Sequence, residues 1–324
     1  MIADWQGSRV LVTGAAGFLG SGLSLALAER GASVVAVDAL LHDSGANRHH
    51  LSGSGVELVV ADLRTADLSP ICRGVDVLFN LAAQVSHTDS ELDPASDLEI
   101  NGAAQLRLIE AIRKHAAGAI VVHASTRQFY GRPQRLPVDE AHPINPQDMN
   151  GVSKFAGEQY WMVEGRVRGR EVTSLRLTNC YGPRLRIKDD RQCFIGVWVR
   201  RLLESEPFEV WGGAQLRDLV YLDDVVAAFL TAAQTPECVG NVYNVGGAEP
   251  VSMLNLAEHL VAANGGGRFV VKPFPADRSK IDIGSYRSDD SAFRAATGWA
   301  PRVMLRDGLK ETLDWFRPRI ADYR

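Results

Sequence analysis

Glycines spaced three apart in the string TGAAGFLG, residues 13–20, are the first residues whose spacing carries chemistry. Gly14 permits a tight turn, Gly17 lets backbone come close to a pyrophosphate, and Gly20 lets the following helix pack closely. Phe18 and Leu19 then open a helix whose unbonded N–H groups and positive end face phosphate oxygens. Alone, a GxxGxxG string is only a glycine-rich turn. Here a β-branched run, residues 9–13, precedes it, and Asp38 ends the next such run, 18 residues after Gly20. A carboxylate at that place accepts both hydroxyls of an adenosine ribose and repels a 2′-phosphate. The set predicts a dinucleotide site that favours NAD over NADP.

The elements that must position this turn are short apolar strands alternating with helices. Strands are expected at 9–13, 33–38, 57–61, 76–80 and 119–123, with helices at 18–30 and 98–115. That alternation implies an α/β protein with a parallel sheet covered on both faces, a doubly wound Rossmann sheet. After residue 178 prolines and tryptophans break the pattern, although 173–177, 218–233 and 242–245 still read as parts of the same unit. Residues 1–178, completed by roughly 218–247, are therefore the expected dinucleotide-binding domain. Residues 179–217 and 248–324 are expected to form a smaller, interrupted substrate-binding lobe.

Composition excludes several classes. In 324 residues, 46% apolar and 23% charged content fits an ordinary globular protein, and a net charge of −4 offers no basic surface for nucleic acid or membrane. Cys72, Cys180, Cys193 and Cys238 are scattered, with no metal-ligand or disulfide spacing. The sequence has no apolar run long enough to span a bilayer and no secretory signal at its start, so a cytoplasmic location is expected.

Taken together the motifs resemble the extended short-chain dehydrogenases/reductases, enzymes that act mostly on nucleotide-diphosphate sugars. TGAAGFLG, Asp62-Leu63, NLAAQ (80–84), HASTRQFYG (123–131), NGVSKFAGE (150–158), LRLTNCYGPR (175–184), WGGAQLRDLVYLDDVV (211–226), NVGG (244–247) and GWAP (298–301) follow the family's order over nearly the whole chain. The resemblance implies NAD as cofactor. Asp62 and Leu63 then lie at the adenine, Leu81, Ala82, Ala83 and Gln84 lie beside the nicotinamide ribose, and Asn101 joins the cofactor-binding set. Thr126 falls on the family's catalytic Ser/Thr and Lys154 on its lysine, which holds that ribose. Where the family has its catalytic tyrosine, this chain has Asn150.

An amide does not titrate usefully, so another group must move the proton. Tyr130, His87, His142, Lys154 and a bound water are all open alternatives. Arg127 and Gln128 replace the Asp–Glu pair of the family's 4,6-dehydratases, which argues against elimination of water. Gln128 joins the catalytic set, and Arg127 is suited to an anionic group such as a uronate carboxylate or to pairing with a nearby acid. Asn179, Arg217 and Arg278 match diphosphate-contacting positions. Phe208 and Trp211 lie in the loop that receives the nucleobase, and the charged insert 185–192 is either a cap on the sugar or a solvated loop. The implied activity is epimerisation of a nucleotide-diphosphate sugar through a transient keto form. The alternatives are a dehydratase or decarboxylase, a dehydrogenase or ketoreductase, or a catalytically silent binder. The alanine-rich helices near 95–115 and 150–168 match those that pair in family homodimers.

Overall fold

Seven of the apolar runs pair side by side in one parallel sheet, ordered β7–β6–β5–β4–β1–β2–β3. In this computed structural model, which describes every residue except Met1, Ala3, Asp43, Asp277 and Arg324, β1 is Arg9–Thr13, β2 Ser33–Asp38, β3 Leu58–Val60 and β4 Val77–Asn80. β5 is Ile120–Thr126, β6 Val172–Leu177 and β7 Val242–Val245. The central strands are buried on both faces, as in Val77–Asn80, where all four side chains are inside. This is why they read as continuous apolar runs rather than alternating ones. Thr13 at the end of β1 sits level with Val37 of β2 on one side and Asn80 of β4 on the other. The strand order reverses across β1, so a crevice opens at these carboxyl ends.

Helix α1, Phe18–Glu29, leaves the glycine turn and packs beside a later helix, α7, Leu222–Gln234. Four other helical segments pack together beside the crevice: α2 His87–Leu92, α3 Pro94–Leu98, α4 Ala104–His115 and α5 Met149–Arg168, with His87, Ala104, Asn150 and Lys154 lining it. The single helix expected over 98–115 is α3 and α4 joined by a π-helical turn, Glu99–Ala103. It begins earlier than its apolar pattern because Asp93 caps it through Ser96 N–H at 3.0 Å and Pro94 supplies its first turn. The wider turn brings Asn101 inward, where it is 3% exposed. Helix α5 lies tightly on that turn, since a Cβ at Gly157 would stand 2.4 Å from the Asn101 carbonyl. Asp148 caps α5 by accepting from Gly151 N–H at 2.7 Å, and Gly169 ends it in the left-handed conformation.

Beyond the sheet, α6 (Phe194–Leu203) and α8 (Met253–Ala263) flank a short parallel pair, Phe208–Trp211 with Phe269–Lys272, and α9 (Leu305–Phe316) packs on α8. Aromatic rings knit this region: Trp198 lies 4.8 Å from Phe208, and Phe208 lies 5.6 Å from Phe269. Phe208 is therefore packed inside, 1% exposed. Among the described residues no helix is long and apolar enough to cross a membrane.

Candidate active site

Two clefts meet above the carboxyl ends of β1, β4 and β5. The first, about 290 Å³, is lined by Gly14, Gly17, Phe18, Leu19 and Gly20 at one end and by Asn150 and Lys154 at the other. Its shape follows from the glycines. A Cβ at Gly14 would lie 2.9 Å from the Leu81–Ala82 backbone, and one at Gly20 would lie 2.1 Å from the Gly14 carbonyl. Gly14 also adopts φ 70°, a left-handed conformation. The helix start that faces the cleft has no side-chain cap on its N-terminus, which leaves its N–H groups for a phosphate.

Asp38 enters the same cleft, held by Ala16 N–H at 3.1 Å and Leu40 N–H at 2.8 Å. Burial raises its carboxyl above the ordinary value, with the backbone N–H groups of Leu40, Ala16 and Ala39 opposing. Asp62, Leu63, Leu81, Ala82 and Ala83 also line the cleft. Asp62 is engaged by the Arg64 guanidinium at 2.7 Å, and that bond holds its carboxyl below the usual range. These residues fit a dinucleotide: a cradle without side chains at one end, a ribose-facing carboxylate, and a cation at the other end.

Gln84 and Asn101 are corrections, because neither reaches the cleft wall. Asn101 donates to the Gln84 carbonyl and to Asp97, each at 3.1 Å, and accepts from Gln84 N–H at 3.1 Å. Asn150 joins this cluster. Its Nδ2 donates to the Gln84 carbonyl at 3.0 Å and to Asp97 Oδ1 at 2.9 Å. The residue at the tyrosine position therefore braces the loop before α2 through a buried carboxylate. Sequence reasoning did not find Asp97, because its partner Asn150 lies 53 residues away on α5.

Lys154, one turn along α5 from Asn150, takes no hydrogen-bond partner among the described residues. Burial pulls its ammonium down to about 8, with Asp97 and Glu158 opposing. Thr126 ends β5 in the same cleft, and its Oγ1 accepts from Gln128 N–H at 3.1 Å. Tyr130 is a second correction: it is fully buried and lies outside both clefts. Its hydroxyl donates to Asn244 Oδ1 at 2.9 Å and accepts from Arg176 at 2.7 Å. Burial pushes its phenol up to about 12, Arg176 notwithstanding. His142 is likewise a buried loop staple, accepting from Gln134 N–H at 3.0 Å.

The second cleft, about 790 Å³, runs between the sheet and the outer helices. Arg217, Trp211 and Arg278 line it, as does part of the charged insert, Lys188 to Asp190. Arg217 is tied to Asp282 at 2.8 Å and to backbone carbonyls. Arg278 lies over the Trp211 ring at 5.9 Å, pairs with Asp190 at 3.0 Å and donates to Thr88 at 3.2 Å. The insert thus closes over this cleft. His87, Arg127, Gln128, Asn179, Gln192 and Cys193 line both clefts. At that junction Arg127 bonds Asn179 through Nη2 and lies 4.7 Å above the Tyr286 ring, while its Nη1 is buried and unpartnered. Burial, then the neighbouring Arg217, lowers its affinity for the proton.

Residues 10–246 match the sequence profile of the NAD dependent epimerase/dehydratase family, and the chain belongs to that family. It is an NAD-dependent nucleotide-sugar enzyme of the epimerase class, and NAD is its cofactor. The putative UDP-glucose 4-epimerase of Methanocaldococcus jannaschii is 31% identical over 314 residues, 95% of this chain and 98% of that protein. The UDP-glucose 4-epimerase of Mycolicibacterium smegmatis is 33% identical over 313 residues, again 95% and 98%. Among solved structures, the Thermotoga maritima UDP-glucose 4-epimerase with UDP-glucose superposes with a TM-score of 0.88 at 29% identity, covering 96% of this chain and 99% of that one.

Proposed function

We propose that this enzyme epimerises a uridine-diphosphate sugar carrying an anionic group on its ring, with the sugar seated where the two clefts meet. NAD⁺, when bound, accepts a hydride from a sugar carbon and later returns it. The glycine turn and Asp38 hold the adenosine half, and the Lys154 ammonium holds the nicotinamide ribose. Thr126 hydrogen-bonds the hydroxyl of the carbon that is oxidised. Asn179 and Arg217 bind the diphosphate, while Arg278 and Trp211 close over the nucleotide end. Gln128 orients Asp148 and the Thr126 turn rather than moving a proton.

The observation that carries this reading is Arg127. It stands at the junction, largely withdrawn from solvent, with one guanidinium nitrogen unpartnered and no carboxylate at ion-pair distance among the described residues. A cation so placed costs free energy until an anion reaches it, and a carboxylate can take two parallel hydrogen bonds from its fork. UDP-glucuronate and UDP-galacturonate should therefore interconvert faster than UDP-glucose and UDP-galactose. Arg127→Gln should narrow that preference by about 10-fold or more, the scale of one charge-assisted hydrogen bond. The check is product analysis alongside absorbance at the NADH band. Transient reduction with inverted product supports the reading. Accumulating NADH marks a dehydrogenase, and no reduction with any nucleotide sugar marks a silent binder.

The enzyme is also proposed to act as a cytoplasmic two-fold homodimer. Met149, Val152, Tyr160, Val163 and Val167 form one exposed apolar stripe along α5, beside exposed Leu98 and Leu106. A second copy covers both helices at once by two-fold pairing. A monomeric mass at micromolar concentration would rule this out.

A further inference from the structure

We propose that His87, backed by Asp148, takes the proton from the sugar hydroxyl in place of the missing tyrosine; this rests on the epimerase reading above. Tyr130 and His142 are sealed away from both clefts, and Asn150 is committed to Gln84 and Asp97. Lys154 lines only the cofactor cleft. His87 lines both clefts, where the sugar must lie. Asp148 Oδ2 stands 2.8 Å from His87 Nδ1, an ion-pair distance reached at an angle too bent for an aligned hydrogen bond. The Asp148 side chain is 0% exposed, fixed by Gly151 N–H at 2.7 Å and Gln128 Nε2 at 3.0 Å. Burial would raise its carboxyl, but His87, Gly151 and Gln128 together bring it below the ordinary value.

A buried carboxylate beside Nδ1 places the imidazole proton there and leaves the lone pair on Nε2. Nε2 has no partner among the described residues, and the side chain is 38% exposed. Gln128 continues the chain, since its backbone N–H donates to Thr126 Oγ1 at 3.1 Å. Gln128 thus links the Asp148 carboxylate to the Thr126 hydroxyl, and the imidazole stands at ion-pair distance from that carboxylate. In the forward step the sugar O–H bond breaks and its proton passes to Nε2. The oxygen's electron pair closes the carbonyl as the carbon's hydride departs to NAD⁺. In the return step the hydride adds to the opposite face and His87 gives the proton back. Other charges at this corner are Asp89 and Glu91 on α2 itself, Asp97 on α3, and Arg191 and Arg278 from the outer lobe. Arg191 lies 3.6 Å from Asp89, and Arg278 bonds Thr88.

The test is single-turnover NADH formation in the full-length enzyme with NAD⁺ and saturating UDP-sugar. His87→Gln should slow it by about 10²–10⁴-fold, the usual cost of a lost general base, while NAD and UDP binding, read by calorimetry, stay within about threefold. Added imidazole should restore part of the rate in His87→Gly. Asp148→Asn keeps a capping residue on α5 yet should lose at least about tenfold, because the negative charge behind the ring is gone. A His87→Gln enzyme that keeps its rate overturns the assignment and leaves the epimerase reading intact. If the parent enzyme never reduces NAD⁺ with any nucleotide sugar, both are overturned.

Discussion

The cofactor cleft and the sugar cleft are built from different materials. The first is mostly backbone: a glycine turn, an uncapped helix start and the ends of β1 and β4. Its one free cation, among the described residues that line it away from the junction, is Lys154. The second has apolar and aromatic walls, and its phosphate-facing arginines are long side chains already paired with acids, Arg217 with Asp282 and Arg278 with Asp190. A backbone site is ready before its ligand arrives. A site of paired side chains must exchange ion pairs for phosphate contacts, so each of its arginines contributes only a difference between two partners. Losses in the first cleft should therefore be large and specific, and losses at Arg217 or Arg278 smaller.

The largest effect should come from Lys154→Met. It removes the cation at the ribose end and should abolish both tight NAD binding and turnover, read by calorimetry and NADH absorbance. Because burial brings the ammonium down to about 8, NAD binding in the parent enzyme should weaken as pH rises through that value, and the inflection should be absent in the variant. Stability runs the opposite way. The folded value lies below the unfolded one of 10.5, so the unfolded chain holds more protons between about 8 and 10.5 and stability rises with pH across that window. Without NAD, Lys154→Met should melt no lower than the parent at pH 7, which separates lost binding from lost folding.

Asp38→Ala comes next. The parent should bind NAD far more tightly than NADP. The variant should weaken NAD by about 10–100-fold, the scale of two ribose hydrogen bonds to a charged group, and should narrow the gap to NADP. Equal affinities in the parent would remove Asp38 from this role.

The contrast between the clefts also explains what the sequence disclosed. The glycine turn and Asp38 were legible because backbone geometry restricts residue type at fixed local spacing. The strands were legible as apolar runs, although β5 extends to Thr126 rather than stopping near residue 123, which carries that hydroxyl to the crevice edge. The π turn at Glu99–Ala103 was not legible, since it leaves the helical apolar spacing of α4 untouched. Tyr130 looked available because FYG lies near Thr126 in the chain. Only the long-range partners Asn244 and Arg176 show it turned into the core. His87 and Asp148 meet across two helices, and no local pattern announces such a pair.

The smallest effect should come from Asn150→Ala, although Asn150 occupies the position where the family keeps its tyrosine. Its amide donates to the Gln84 carbonyl and to Asp97 Oδ1, but Asn101 donates to the same two oxygens. Neither of these acceptors is left without a partner when Asn150 is cut back, and only the longer bond to Gln84 Oε1, at 3.3 Å, is lost without a replacement. Truncation should then cost about 1–2 kcal/mol in denaturant unfolding, the net value of the lost bonds. The rate of NAD⁺ reduction should fall less than about tenfold, well short of a missing base. Asn101→Ala should destabilise more, because it also strips Gln84 N–H of its acceptor. A loss in Asn150→Ala as deep as that in His87→Gln would show that the amide itself takes part in the proton's path, and the brace would then be secondary.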